Sequence, residues 1–196
     1  MEHLHLILSV SAGLGLSAAA GFRVFVPLLV VSIASRMGLP LSAEFAWLAS
    51  TPALVALSVA TVCEIGAYYV PFIDNALDAI ASPLAVVAGT ILTAAVLTNA
   101  DPLFKWSLAI IAGGGMAGLV QAKTVVTRGI SSATTAGFAN PIVSTVELGG
   151  AVTAAAVSVL MPLVALLMVF AILFWLLRGK GSRSATQNAP LEGTVA

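Results

Sequence analysis

The chain is 196 residues long, with 60% hydrophobic residues, 8% charged residues, a formal net charge of zero and a mean hydropathy of +1.09. About a quarter of the residues of a soluble domain are charged, so this composition excludes a soluble domain and predicts an all-α, polytopic transmembrane helical bundle. The lack of a basic patch excludes nucleic-acid binding, and the single cysteine, Cys63, excludes an internal disulfide.

The first apolar block, residues 6–35, is interrupted only by Arg23. As one helix it would be about 45 Å long, which exceeds the ~30 Å hydrocarbon core of a bilayer. Small residues before Arg23 and Pro27 after it predict a break. The block is therefore either one tilted, kinked helix or a crossing followed by a half-helix that dips back. Residues 36–50 are expected to form a loop.

Three later helix starts carry the same signal, a capping residue followed by proline at the first helical position. We expect these helices to reach Val70, Thr98 and Val120, and their start signals are Thr51-Pro52, Ser82-Pro83 and Asp101-Pro102. Proline is tolerated there because the first N–H groups of a helix have no partner inside the helix.

The last apolar block, residues 141–177, is also too long for one crossing, and it contains Pro162. We expect a helix pair, or a half-helix followed by a full crossing. A transmembrane domain would then cover residues 1–177, with about five to seven membrane segments that include re-entrant half-helices.

The remaining segment, residues 178–196, is polar and is predicted to be a disordered tail. Arg178, Lys180 and Arg183 place this tail in the cytoplasm under the positive-inside rule. By the same rule, Lys123 and Arg128 place the loop that contains them in the cytoplasm. The last apolar block would then begin and end on the cytoplasmic side, so it must cross the membrane an even number of times.

Short matches indicate a two-fold internal repeat with halves at residues 6–100 and 102–177. The segment Ala12–Leu16 resembles Ala112–Met116, and Val62–Gly66 resembles Thr145–Gly149. Paired halves with broken helices are typical of transporters whose substrate site lies where the halves meet. Chance is the alternative explanation, because alanine and glycine are abundant throughout the chain.

Charged residues inside apolar blocks are the main candidates for a functional site, because each costs on the order of 3 kcal/mol at the bilayer centre. They are Arg23, Glu64 and Glu147, and the repeat adds Lys123, which it sets opposite Arg23. We expect them to line or gate a substrate or ion pathway. The alternatives are a structural ion pair of Arg23 with a glutamate, and snorkelling to the interface.

The densest polar cluster follows Pro71. A helix that begins there would put Asp74 and Asp78 on one face with Asn75 alongside. These side chains are predicted to form the mouth of the pathway or to bind a cation. The alternative is an interfacial connector in which Tyr68 and Tyr69 are aromatic belt residues.

A second polar stretch, residues 131–141, lies between apolar blocks and contains Thr134, Thr135 and Asn140. It is either a plain loop or an unwound re-entrant segment, which the membrane permits only where protein or water covers the backbone.

Catalysis is not expected. The only histidines, His3 and His5, lie at the extreme N-terminus, so no Ser-His relay or zinc-protease helix can be assembled in the membrane domain. We therefore predict no enzymatic activity, no metal site and no cofactor.

The chain resembles an uncharacterised bacterial family of integral membrane proteins, known only as a domain of unknown function, over roughly Ser11 to Phe174. The resemblance rests on Ala20-Gly21-Phe22-Arg23 with Pro27, on Cys63-Glu64-Ile65-Gly66, on Pro71 through Asp78, and on Gly137-Phe138-Ala139-Asn140-Pro141 leading to Glu147. It implies a bacterial inner-membrane setting and no mechanism.

We expect a small transporter or channel-like permease for an ion or small polar solute. One alternative is a lipid-handling protein in which Arg23 and Lys123 hold a phospholipid phosphate, and another is a non-transporting membrane scaffold. The expected partners are membrane lipids, the transported ion or solute, and further copies of the chain in a homo-oligomer. The glycine-rich face at Gly113 to Gly118 is a candidate surface for that association.

Overall fold

The computed structural model describes residues 2–70 and 73–178, and for residues 2, 74–76 and 175–178 it describes the backbone alone. The predicted tail, residues 179–196, lies outside the described residues. The described residues form helices and no strand, which confirms the all-α class. The elements are α1 (Glu2–Phe22), α2 (Phe25–Arg36), a 3-10 helix (Ala43–Ala49), α3 (Thr51–Ala67), α4 (Ile73–Val96), α5 (Pro102–Leu108), a π-helix (Ala109–Gly114), α6 (Gly115–Thr135), α7 (Asn140–Leu160) and α8 (Pro162–Arg178).

Four helical stretches of the described chain are long and apolar enough to cross a membrane. They are His3–Phe22, Leu77–Val96, Pro102–Thr135 and Asn140–Leu160. The 3-10 helix and α3 would together make a fifth span, bent by 67°. Shorter apolar helices lie at Phe25–Arg36 and Pro162–Phe174. The chain is therefore a multi-pass membrane protein by helix length and composition.

The two long apolar blocks both break in the middle. The first block breaks after Phe22, and the 12-residue α2 that follows is only about 18 Å long, too short to cross. The last block breaks at Met161 into α7 and α8, which is the helix pair that the sequence predicts.

Two of the three predicted helix starts are right to within one residue. The carboxylate of Asp101 accepts a hydrogen bond from the backbone N–H of Leu103 at 2.9 Å, as expected of an N-cap. At the start of α3 the cap is Ser50 rather than Thr51, with its hydroxyl accepting from the N–H of Ala53 at 3.2 Å.

The third predicted start and one predicted helix end are wrong. Pro83 does not begin a helix but lies inside α4, where the hydroxyl of Ser82 bonds to the carbonyl of Asp78 at 2.7 Å. The helix that begins at Pro102 does not end at Val120 but continues to Thr135, because the π-helix passes the chain into α6 without a break.

Glycines let α4 lie directly against the π-helix. A Cβ on Gly89 would lie 2.9 Å from the carbonyl oxygen of Gly113, and a Cβ on Gly114 would lie 2.7 Å from the hydroxyl of Thr90. Gly118 faces Val86 of the same helix. Much of the glycine-rich face that we considered for association between chains is therefore used inside one chain. A homo-oligomer remains a prediction.

Helix α1 lies at the centre and contacts α4, α6, α7 and α8. It runs antiparallel to α4, because Gly13 lies against Thr93 while Ser17 bonds to the carbonyl of Gly89 at 2.8 Å. It also runs antiparallel to α7, since Gly15 faces Ser158 while Phe22 lies against Gly150. The end of α1 and the beginnings of α4 and α7 consequently meet at one end of the bundle.

Candidate functional site

Five charged side chains from five parts of the chain meet at this end of the bundle. Each is at most 6% exposed as a residue. They are Arg23 after α1, Glu64 of α3, Asp78 of α4, Arg128 of α6 and Glu147 of α7. We call this set the five-charge cluster.

Arg128 is the centre of the ion pairs. Its Nη1 lies 2.7 Å from Oδ1 of Asp78, and its Nη2 bonds to Oε2 of Glu147. The same Glu147 oxygen lies 3.8 Å from Nη2 of Arg23. Glu147 thus joins both guanidinium groups, and loss of either arginine would leave buried carboxylate charge uncompensated.

The ring of Tyr68 lies between the two arginines. The guanidinium carbons of Arg23 and Arg128 lie 3.8 and 3.9 Å from the ring centroid. Two guanidinium groups cannot share one face of a ring at these distances, so they lie on opposite faces. Each gains a cation–π interaction, and the ring keeps the two positive charges apart. The phenol hydroxyl donates to Oδ1 of Asp78 at 3.1 Å.

Glu64 caps a helix and forms no ion pair with an arginine among the described side chains. Its two oxygens accept hydrogen bonds from the backbone N–H groups of Val24 and Phe25 at 2.8 and 3.1 Å. These groups begin α2 and have no partner inside that helix. A carboxylate also suits the positive end of the helix dipole. Glu64 therefore stabilises the break between α1 and α2 where Arg23 stands.

Ser144 connects the cluster to the backbone. Its carbonyl oxygen accepts a hydrogen bond from Nη2 of Arg23 at 3.0 Å. Its hydroxyl donates to the carbonyl of Tyr68 at 3.3 Å. The end of α1, the end of α3 and the start of α7 are thus joined by direct hydrogen bonds.

The charges of the cluster do not balance. Three carboxylates face two guanidinium groups, which leaves one excess negative charge when all five are ionised. Several buried atoms also lack a hydrogen-bond partner among the described residues. They are Nε and Nη1 of Arg23, Nε of Arg128 and Oε1 of Glu147. Three of these four atoms are N–H donors and one is a carboxylate acceptor, and each is costly to bury without a partner.

Two apolar grooves reach the cluster. One, of about 320 Å³, lies between α6 and α7 beside Phe22 and Ile172, and Glu147 lies on its wall. The other, of about 250 Å³, lies between α3 and α4, with Glu64 and Cys63 on its wall. The two glutamates that the repeat pairs therefore each border a groove.

Of the predicted pathway residues, the structure brings Arg23, Glu64 and Glu147 together and leaves out Lys123. Lys123 is exposed and lies on the wall of the groove between α6 and α7. The second cation of the cluster is Arg128, which the sequence indicated only as a basic residue near a loop. A signal was present, since Val120, Thr124 and Arg128 recur at four-residue spacing and share the buried face of α6.

The residues that were predicted to form the pathway mouth do not all lie in the cluster. Asp78 belongs to the buried cluster, and Tyr68 is buried beside it rather than in an aromatic belt. Asp74 and Asn75 lie at the start of α4, as the sequence predicts, and their side chains lie outside the described residues.

The polar stretch before α7 is helical rather than unwound. Thr134 and Thr135 close the last turn of α6, where their hydroxyls donate to the carbonyls of Ile130 and Ser131 at 2.8 and 2.7 Å. A tight turn follows, with Ala136 and Gly137 at φ of 52° and 85°. Asn140 begins α7 and is buried, with its amide donating to the hydroxyl of Ser132 at 3.0 Å. These hydroxyls satisfy their own helix and do not line a cavity of unwound backbone.

A family model described as a domain of unknown function, DUF4126, matches residues 10–179. The resemblance to an uncharacterised family is thereby confirmed. No curated protein and no solved structure matches the chain.

Proposed function

The chain belongs to the DUF4126 family, and we propose that it is a small permease of the bacterial inner membrane that carries a monovalent cation, with the five-charge cluster as its ion site. The excess negative charge of the cluster is the observation that carries this proposal. Two carboxylates neutralise the two guanidinium groups, and the third, Glu64, is held by the backbone N–H groups that begin α2, so one formal negative charge remains in the cluster.

The arrangement of the cluster supports a role in coupling. Its members come from α3, α4, α6, α7 and the break after α1, so one added positive charge acts on all of these elements at once. Neutralising Glu147 would release Arg128 and Arg23 from it, and neutralising Glu64 would weaken the cap of α2. Binding of a cation would therefore favour a different packing of the helices around α1.

The orientation in the membrane is part of the proposal. Ala165 lies against Gly15, and Ile172 and Phe22 border the same groove, so α8 runs parallel to α1. The end of α8 and the turn between α6 and α7 are then at the same end of the bundle. The basic residues near both favour the cytoplasm for that end and for the C-terminus. Enzymatic activity is no part of the proposal.

Ion uptake into proteoliposomes tests the proposal. The protein is reconstituted in vesicles of phosphatidylcholine and phosphatidylglycerol, with a pH-sensitive dye inside to follow protons, a sodium-sensitive dye inside to follow sodium, or a radiolabelled organic cation outside. A potassium diffusion potential, negative inside, is then imposed in turn with protons, sodium or a small organic cation outside. We expect one of these cations to enter faster than in protein-free vesicles, and we expect Glu147→Gln to abolish the difference.

Glu44→Gln is the matched control. Glu44 is a carboxylate that pairs with Lys105 at 2.6 Å at the other end of the bundle, so this variant should carry the cation as the wild type does. If folded wild-type protein carries no cation faster than empty vesicles, the cluster is a structural network and the scaffold alternative replaces the permease.

A further inference from the structure

The groove between α6 and α7 has apolar walls and an apolar mouth. Phe22, Val120 and Ile172 line its depth, while Ile142 and Val146 stand at its opening and are 69% and 70% exposed. Exposed apolar side chains of a membrane protein face hydrocarbon. An occupant of the groove would therefore enter from the bilayer and carry an apolar chain.

Two opposite charges lie on the wall of this same groove. Lys123 is exposed, while the carboxylate of Glu147 is buried and its Oε1 has no hydrogen-bond partner among the described residues. An ammonium group would satisfy this oxygen and offset the excess negative charge of the cluster. A phosphate would complement Lys123.

Threonine hydroxyls complete the polar part of the groove. Thr124 and Thr127 both line it, and their hydroxyls donate to the carbonyls of Gln121 and Lys123 at 2.8 and 2.9 Å. Because each hydroxyl proton is already used, the oxygens face further partners as acceptors. A primary ammonium group has three protons to donate, whereas a trimethylammonium group has none.

The depth of these groups suits a lipid head group. Val120 lies against Gly21, since a Cβ on that glycine would lie 2.5 Å from Cβ of Val120. Lys123, one turn further along α6, is therefore level with the end of the His3–Phe22 span, although the longer Pro102–Thr135 stretch continues beyond it to Thr135. The end of a span is where head groups meet hydrocarbon.

We propose that the groove between α6 and α7 binds a phospholipid with a primary-amine head group, with the ammonium at Glu147 and the threonine hydroxyls, the phosphate at Lys123, and an acyl chain along Phe22 and Ile172. This site keeps Lys123 from the sequence-based lipid hypothesis but differs from it in excluding Arg23, which that hypothesis places with Lys123 on the phosphate. Arg23 is 1% exposed and stacked on Tyr68, so no lipid phosphate reaches it.

Lipid retention measured by native mass spectrometry tests this site. Delipidated protein in detergent is mixed with equal amounts of phosphatidylethanolamine, phosphatidylcholine and phosphatidylglycerol of identical acyl chains. We expect phosphatidylethanolamine to be retained about tenfold more than phosphatidylcholine, because only the former donates hydrogen bonds to the carboxylate. Equal retention of those two lipids, or preferred retention of phosphatidylglycerol, would overturn recognition of the amine.

Two variants locate the site without touching the ion pairs of the five-charge cluster. Val146→Trp fills the groove mouth and should abolish selective retention, whereas Lys123→Met should reduce retention of all three lipids about tenfold through loss of the phosphate contact. Val152→Trp is the control, since Val152 is an exposed residue of α7 outside the groove and should leave retention unchanged. If Val146→Trp retains the lipid as the wild type does, or instead splits a dimer that holds no lipid, the groove is not a lipid site.

The experiments can contradict the proposed lipid site and the proposed cation pathway independently of each other. Cation uptake is measured in vesicles without amine lipids, so uptake there does not depend on the lipid site. Loss of lipid selectivity in Val146→Trp with normal uptake would leave both proposals standing, whereas lipid selectivity in a protein that carries no cation would sustain the lipid site alone.

Discussion

Glu64 caps a helix to which it does not belong, because its Oε1 accepts a hydrogen bond from the backbone N–H of Val24 at 2.8 Å. Its other oxygen accepts from the N–H of Phe25 at 3.1 Å. Val24 itself offers no side-chain cap to α2. The short helix after the break therefore depends on α3 for its first hydrogen bonds, and the break in turn places Arg23 inside the bundle.

Removing this cap should destabilise the protein, and the loss of stability should grow with the number of hydrogen bonds that the substitution removes. We expect Glu64→Gln to lower the free energy of unfolding by about 1 kcal/mol, since one carbonyl oxygen remains as an acceptor. Glu64→Ala should lower it by about 2 kcal/mol, since both N–H groups lose their partner. Unfolding in mixed detergent micelles measures both. Val62→Ala, at a position of α3 that is 69% exposed, should have little effect, and an equal effect of this control and Glu64→Gln would contradict the capping role.

Arg128 should be the least replaceable member of the cluster. Arg128→Met removes the closest cation of both Asp78 and Glu147 and is expected to cost about 3–5 kcal/mol of stability. Arg128→Lys should recover only part of the loss, because an ammonium group cannot bond to both carboxylates through a planar fork.

A double-mutant cycle of Arg128→Met with Asp78→Asn checks the pairing directly. The double variant should be more stable than the sum of the single effects implies, by about 0.5–3 kcal/mol. Strict additivity of the two substitutions would show that the pair makes no net contribution.

Tyr68 should act through its ring more than through its hydroxyl. Tyr68→Phe removes the hydrogen bond to Asp78 and should cost about 1 kcal/mol. Tyr68→Leu also removes the ring between Arg23 and Arg128, and with it two cation–π contacts. Its cost in stability should therefore exceed that of Tyr68→Phe by about 2 kcal/mol. Thermal unfolding of both variants decides the order, and a milder effect of leucine would refute the role of the ring.

The glycine-rich stretch offers a matched pair of substitutions two residues apart. A Cβ on Gly113 would lie 2.8 Å from Cβ of Thr93 and 2.9 Å from the carbonyl oxygen of Gly89, whereas one on Gly115 meets nothing within 4 Å. We expect Gly113→Ala to cost about 1–3 kcal/mol by forcing α4 away. Gly115→Ala should be neutral or stabilise by up to about 1 kcal/mol. Reversal of this order in thermal unfolding would mean that the glycines serve contacts outside the chain.

The sequence by itself determined the class of the protein and most of its helix boundaries. Low charge and high hydropathy leave only membrane helices as a fold, and a cap such as Asp101 before Pro102 acts within one turn of chain. Such signals are local, so they can be read in order along the chain. Pro83 misled the prediction because proline in a long helix is tolerated when packing on other helices outweighs one lost hydrogen bond.

Only the tertiary structure decided which charges belong together. Arg23, Glu64 and Glu147 were recognisable from their burial cost, but their partners depend on which faces of five helical segments converge, and spacing along the chain does not contain that information. Arg128 replaced Lys123 as the second cation because it lies on the buried face of α6 and Lys123 does not. The excess negative charge of the cluster likewise depends on the tertiary structure, because helix packing is what buries all five side chains together.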